Sequence, residues 1–142
     1  MSATEENKVI TRRFNDAVQS FWRTGSFDAL EAVITSDFVH HGPGLPPDLA
    51  GLKQMLPLFR AAIPDLEITV EDIIAEGDKV FDRVSWRGTH QGELMGIPPT
   101  GKQVTVTEMH ICRIVGGKVA ERWSQWDALG MLQQLGAIPA SE

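Results

Sequence analysis

The residues with chemistry to offer are few, and Asp127 leads them. It stands between an alternating segment that ends at Trp126 and an apolar stretch carrying Leu129, Leu132 and Leu135. An aspartate at such a junction has two uses. It can accept backbone N–H groups as the N-cap of a helix. It can also face an apolar interior beside indole rings, where desolvation makes a carboxylate a better base for a proton α to a carbonyl. The residues leave both uses open. His110 shares a strand face with Val104, Val106, Glu108, Cys112 and Ile114. It could donate to an enolate oxygen, or rest as a sheet histidine bonded to Glu108, Gln125 or the backbone.

Other candidates form the expected binding surface. His40 and His41 are adjacent, so an extended backbone turns at most one of them inward, toward a pocket mouth. His90 precedes a Gly/Pro-rich loop, residues 92–101, that reads as a lid or as a passive turn. Asp82 and Arg83 take opposite faces of one strand. Arg83 could bind an anionic group or polarise a carbonyl, or pair with Glu67, Glu71 or Glu108. Strict alternation from Val119 puts Glu121, Trp123, Gln125 and Asp127 on one side, with Ala120, Arg122, Ser124 and Trp126 on the other. Trp123 is therefore the expected aromatic wall beside Asp127, and Phe59 an apolar wall on a helix. The histidines show no compact ligand spacing and there is no cysteine cluster, so no metal is expected. Cys112 lies among apolar residues and reads as a packed, inert thiol. Neither a phosphate-binding glycine loop nor a G-x-S-x-G elbow is present.

The elements that must position these groups follow from periodicity. Val9, Ile10, Phe14, Ala17, Val18, Phe21 and Trp22 recur at helical spacing after a possible Ser2/Glu5 capping box, and Gly25 ends the run. A short helix with Phe27, Leu30 and Ile34 follows a Ser26 cap, and residues 38–41 are extended. Asp48 caps a third helix bearing Leu52, Met55, Leu56, Phe59 and Ile63, with Pro57 an awkward member. The period then changes to two. Strands are expected over 67–75, 79–88, 102–115 and 118–126, with Gly116-Gly117 a hairpin turn. Asp127 opens a last helix, which Gly136 ends. Helices first and hairpin-linked strands after them predict an α+β fold: a curved antiparallel sheet wrapped around N-terminal helices to form a cone with an apolar pocket.

Several stretches resemble the SnoaL-like polyketide cyclases. They are Gly88-Thr89-His90-Gln91-Gly92 with 96–102 (GIPPTGK), 117–123 (GKVAERW), Trp126-Asp127 leading into 132–136 (LQQLG), and Ile63-Pro64-Asp65-Leu66. The likeness runs from about Phe38 to Gly136. It implies a member of the nuclear-transport-factor-like superfamily of α+β cones. It further implies an intramolecular aldol ring closure on a polyketide with an aspartate acid/base and no cofactor. By motif that aspartate is Asp127, assisted by His110 on the preceding strand. An arginine at the place of Arg83 is also usual in the family.

Composition bounds the remaining classes. The 142 residues, 42% hydrophobic, suit one domain over 1–142 with a sizeable core. A net charge of −6 with scattered basic residues argues against nucleic acid as a partner. A lone cysteine suits a reducing cytoplasm, and no apolar run is long enough for a membrane span. The second sheet face is expected to be covered by a homodimer or larger homo-oligomer. Three readings stay distinct. The first is a polyketide cyclase acting on a small apolar substrate. The second is another isomerase or hydrolase on the same cone, which for epoxide hydrolysis needs Asp82, Arg83 and Asp127 to converge. The third is a binding module whose pocket lacks ionisable groups.

Overall fold

The computed structural model describes residues 1–139. Helices come first: α1 (Ala3–Thr24) and α2 (Asp28–Val33). Strand β1 (Ile34–His41) and helix α3 (Leu49–Ala62) follow. Then come β2 (Glu67–Glu76), β3 (Lys79–Thr89), β4 (Gln103–Val115), β5 (Lys118–Trp126) and helix α4 (Ala128–Gln134). The local signals act as their chemistry requires. The Ser2 side chain accepts from the Glu5 amide at the start of α1, and Gly25 ends that helix at φ 77° with its amide on the Phe21 carbonyl. Asp48 caps α3, which carries Pro57 in its interior. Phe27, not Ser26, is the N-cap of α2, and Ile34 belongs to β1 instead of to that helix.

One five-stranded sheet runs in the order β1-β5-β4-β3-β2. The hairpins from β2 to β5 are antiparallel, as alternation and turn residues predict. The parallel pairing of β1 with β5 was not expected; it extends the sheet by a strand read only as a short extended piece. The sheet curves, and its irregularities bear on the site. Val119 opposes Ile114 and Glu121 opposes Arg113, which leaves Ala120 as an extra residue in β5. Such a bulge bends a strand and reverses which side chains face inward beyond it.

The helices pack into the concave side. One apolar cluster joins Phe21 and Trp22 of α1 to Ile63, Trp86, Val104, Val106 and Met131. A second joins Phe14, Leu30, Phe38 and Leu52 to Val80, Cys112 and Val119. Each fully buried aliphatic or aromatic side chain of this kind contributes about 1.5–3 kcal/mol. Polar side chains lock α1 to the sheet edge. The Gln19 amide donates to the Leu66 carbonyl and its oxygen accepts from the Ile68 amide, so it pairs with β2 as a neighbouring strand would. The Trp22 indole donates to the Ile63 carbonyl at 2.8 Å. No helix among the described residues is long and apolar enough to cross a membrane. Met109 and Ile111 of β4 are exposed on the convex face.

Candidate active site

Between the two apolar clusters lies a cavity of about 140 Å³, at least nine times the ~10–15 Å³ a single water needs. Its walls are mostly apolar, with Trp22, Phe38, Phe59, Trp86 and Trp126 prominent. Asn15, His40, Glu108, His110 and Arg122 supply the polar groups. These five polar residues come from inward positions of α1, β1, β4 and β5.

His110 occupies the centre of the polar wall. Its Nδ1 lies 2.8 Å from Asp82 Oδ1 and its Nε2 lies 2.8 Å from Glu108 Oε2. The register makes this possible, because Asp82 pairs directly with His110 across β3 and β4, and Glu108 is two residues away on the same face. The side chains of Asp82 and His110 are each 1% exposed, whereas that of Glu108 is 25% exposed and opens on the cavity. Asn15 donates to the second Asp82 oxygen at 2.7 Å, and the Trp86 indole donates to Glu108 Oε1 at 2.8 Å. The carboxylates are thus held from both sides. Burial alone would favour their neutral forms. The His110 hydrogen bonds and charge, with Arg122 and these outer donors, outweigh it and keep both carboxyls below their ordinary range.

Two hydrogen bonds to carboxylates require two protons on the three groups. They can sit as an imidazolium between two carboxylates, or as a carboxylic acid beside a neutral ring. Either way the cluster carries one net negative charge and can pass a proton along itself. That is the equipment of a general acid/base.

A second polar pair adjoins it. His40 Nε2 lies 3.0 Å from Ser124 Oγ, both buried. Burial, then the positive Arg122, pushes His40 down to about 3, so the ring is neutral near pH 7. His41 points the other way, 2.6 Å from Glu121, as an extended backbone requires.

The other expected site residues lie elsewhere. Asp127 is exposed; its carboxylate accepts the Gly130 amide at 2.9 Å as the N-cap of α4 and does not line the cavity. Trp123 stacks on His41 with ring centroids 5.2 Å apart, on the convex side, because the Ala120 bulge puts Arg122, Ser124 and Trp126 inward instead. Arg83 faces outward and pairs with Asp72 at 2.7 Å. Its β3 neighbour Asp82 is the residue that faces in, so Asp82, Arg83 and Asp127 do not converge. His90 is fully buried but outside the cavity. Its Nδ1 meets Thr100, and its backbone bonds Gly101 and Lys102 to close the loop. Gly92 belongs to the same latch, since a Cβ there would sit 2.6 Å from the Ala61 carbonyl oxygen. Of the expected set, His110, His40 and Phe59 line the cavity.

Asp82, Glu108 and Arg122 are the charged groups gathered at this wall that sequence reasoning passed over or assigned elsewhere. The shared face of Glu108 and His110 was a legible signal. Arg122 was hidden by the bulge. Cys112 is buried, and burial pushes its thiol up to about 11, which makes it no nucleophile. Among the described residues no three His, Cys, Asp or Glu side chains converge as a metal site.

A model of the family described as SnoaL-like polyketide cyclase matches residues 12–135. The chain is 30% identical over 128 residues to the nogalonic acid methyl ester cyclase of Streptomyces nogalater, spanning 82% of this chain and 90% of that one. Among solved structures it is similar to IdmH of Streptomyces antibioticus, a protein provisionally assigned as a polyketide cyclase. The TM-score is 0.80 at 34% identity, covering 92% of this chain and 98% of the other. It is similar too to AclR of Streptomyces galilaeus, provisionally assigned as a hydroxylase. There the TM-score is 0.85 at 29% identity, covering 99% and 87%. Helices folded into a curved sheet, a cavity between them and a match over nearly the whole length agree: the chain belongs to the SnoaL-like polyketide cyclase family.

Proposed function

We propose that the protein is a cofactor-independent polyketide cyclase-like enzyme that closes a ring by an intramolecular aldol reaction. In this reading the Asp82–His110–Glu108 cluster, and not Asp127, is the acid/base. The observation that carries it is one imidazole bonded on both nitrogens to carboxylates, at 2.8 Å each, in the wall of an apolar cavity. A pocket built only to hold an apolar molecule has no need of such a cluster, because burying ionised groups is costly.

The chemistry balances within the cavity. Glu108, the cluster member that opens inward, takes a proton from a carbon α to a carbonyl. The electron pair left on that carbon attacks a ketone carbon of the same folded molecule, and a C–C bond forms. The ketone oxygen takes a proton back from the cluster. His110 carries the proton between the carboxylates, and Asp82, fixed by Asn15, orients the ring. The apolar walls hold the reacting carbons together, and such proximity lowers a barrier by several kcal/mol, at most about 7–11. The substrate is a small polyketide-like molecule, in keeping with the methyl ester cyclase relative.

Ring closure of a polyketide methyl ester tests this. His110→Gln is expected to lower kcat by about 10²–10⁴-fold with the fold kept, as loss of an acid/base group does. Undiminished turnover by that variant overturns the assignment. The reading also expects a second copy over the convex face, and size-exclusion chromatography giving only monomer would refute that part.

A further inference from the structure

Arg122 is the unexplained charge in the cavity. It lines the wall, its Cζ rests 4.6 Å from the centre of the Phe14 ring, and its buried Nε has no hydrogen-bond partner. Among the described residues no carboxylate lies within ion-pair distance of it. Its polar neighbour is the Cys112 thiol, a weak acceptor that stays neutral. Arg122 as a whole is half-buried, but its Nε is shut off from water, and a guanidinium N–H that gives up hydration usually finds a partner. Here Asp82 and Glu108 attract it through space but are bonded to His110. The Nε–H donor is left for something that enters the cavity.

The register defines where that partner would sit. His110 pairs with Ser124 and Cys112 pairs with Arg122, so Arg122 is a diagonal neighbour of His110 on the inner face, about 7–8 Å away. A planar ligand of one or two rings spans that gap. We propose that Arg122 is an oxyanion-binding residue that selects ligands able to lose a proton to the cluster: enols of 1,3-dicarbonyl compounds and phenols. This deepens the proton-transfer reading of the same cavity and names the acid it takes. The ligand O–H bond breaks, the proton joins Glu108, and the electron pair stays on the ligand oxygen facing Arg122. The cluster goes from one negative charge to none as the ligand goes from none to one, so the cavity's total charge is unchanged. A ligand that enters already charged meets Glu108 as well as Arg122 and lacks this compensation.

2-Naphthol is a suitable probe, because its anion absorbs at longer wavelength, and 2-methoxynaphthalene is the matching ligand that cannot ionise. In the wild-type protein, bound 2-naphthol is expected to show the naphtholate band at neutral pH, where the free compound is un-ionised, because the proton stays within the complex. Arg122→Met should lower the ratio of bound naphtholate to bound naphthol tenfold or more, while 2-methoxynaphthalene binds both proteins within about threefold. Arg122→Lys should recover part of the band, since it restores charge without the planar fork. Circular dichroism checks the fold, and Arg122→Gln serves where the methionine variant does not fold. Bound naphthol that stays neutral in the wild type, or a naphtholate band that survives in Arg122→Met, overturns the proposal. The outcome separates from the cyclase reading. Naphtholate formation dependent on Arg122, with ring closure undiminished in His110→Gln, leaves the oxyanion site standing and removes the mechanism. Loss of ring closure in His110→Gln without any naphtholate band does the reverse.

Discussion

Asp82 and Asp127 are the same residue type in opposite circumstances. Asp82 sits mid-strand on β3, 1% exposed, with one oxygen on Asn15 and the other on His110. Asp127 sits at the end of β5, exposed, with its carboxylate on the Gly130 amide. Both are satisfied, but by different kinds of partner. A backbone amide offers Asp127 a fixed dipole and no proton to exchange. An imidazole offers Asp82 a partner that can carry a proton on either nitrogen and touches a second carboxylate. The difference teaches that an acid/base role follows from the partner and the solvent, not from the carboxyl.

The contrast breaks most sharply at Asp82. Replacing it by Ala leaves His110 and Asn15 buried without their partner and should cost about 3–5 kcal/mol in urea unfolding, as does breaking other buried pairs. A loss below about 1 kcal/mol would mean that water replaces the carboxylate freely. Acid titration sharpens the comparison next. The folded protein holds His40 at about 3 against an unfolded value near 6.5, so the unfolded chain binds the proton first. Stability is therefore full above about pH 6.5 and falls as the pH drops toward 3, by at most about 1.4 kcal/mol per unit. Asp82 and Glu108, both held low, add their loss only below about pH 4. Between pH 6 and 4.5 the slope of unfolding free energy should flatten in His40→Gln. An unchanged slope there assigns the acid sensitivity to another group.

Asp127→Ala should cost only about 1 kcal/mol, the worth of an N-cap, and leave ring closure within about twofold. A loss of activity as large as that of His110→Gln would restore Asp127 to the mechanism. Smallest of all, Arg83→Ala removes a surface pair with Asp72 and should shift stability by no more than about 1 kcal/mol, with turnover unchanged.

Much of the fold was legible because its determinants are local. The boundaries of β5 follow from Gly116-Gly117, both at positive φ, and from the helical period after Asp127. Glu108 and His110 were readable as one face because β4 runs without a bulge between them. The reading failed at Trp123 because one extra residue, Ala120, reverses inside and outside for the rest of β5. It failed at His90 because a histidine that latches a loop through Thr100 has the same local pattern as one that meets a ligand.

By itself the chain's order of residues determined its elements, its caps and turns, and the concave fold that amphipathic helices and alternating strands must make. Those depend on neighbours a few positions apart. Only tertiary structure decided which carboxylates share His110 and that Arg122 faces the cavity without a counter-charge. Asp82, His110 and Arg122 come from three different strands, and their meeting depends on register and on one bulge. A shift of a single residue in either would turn the same side chains to water.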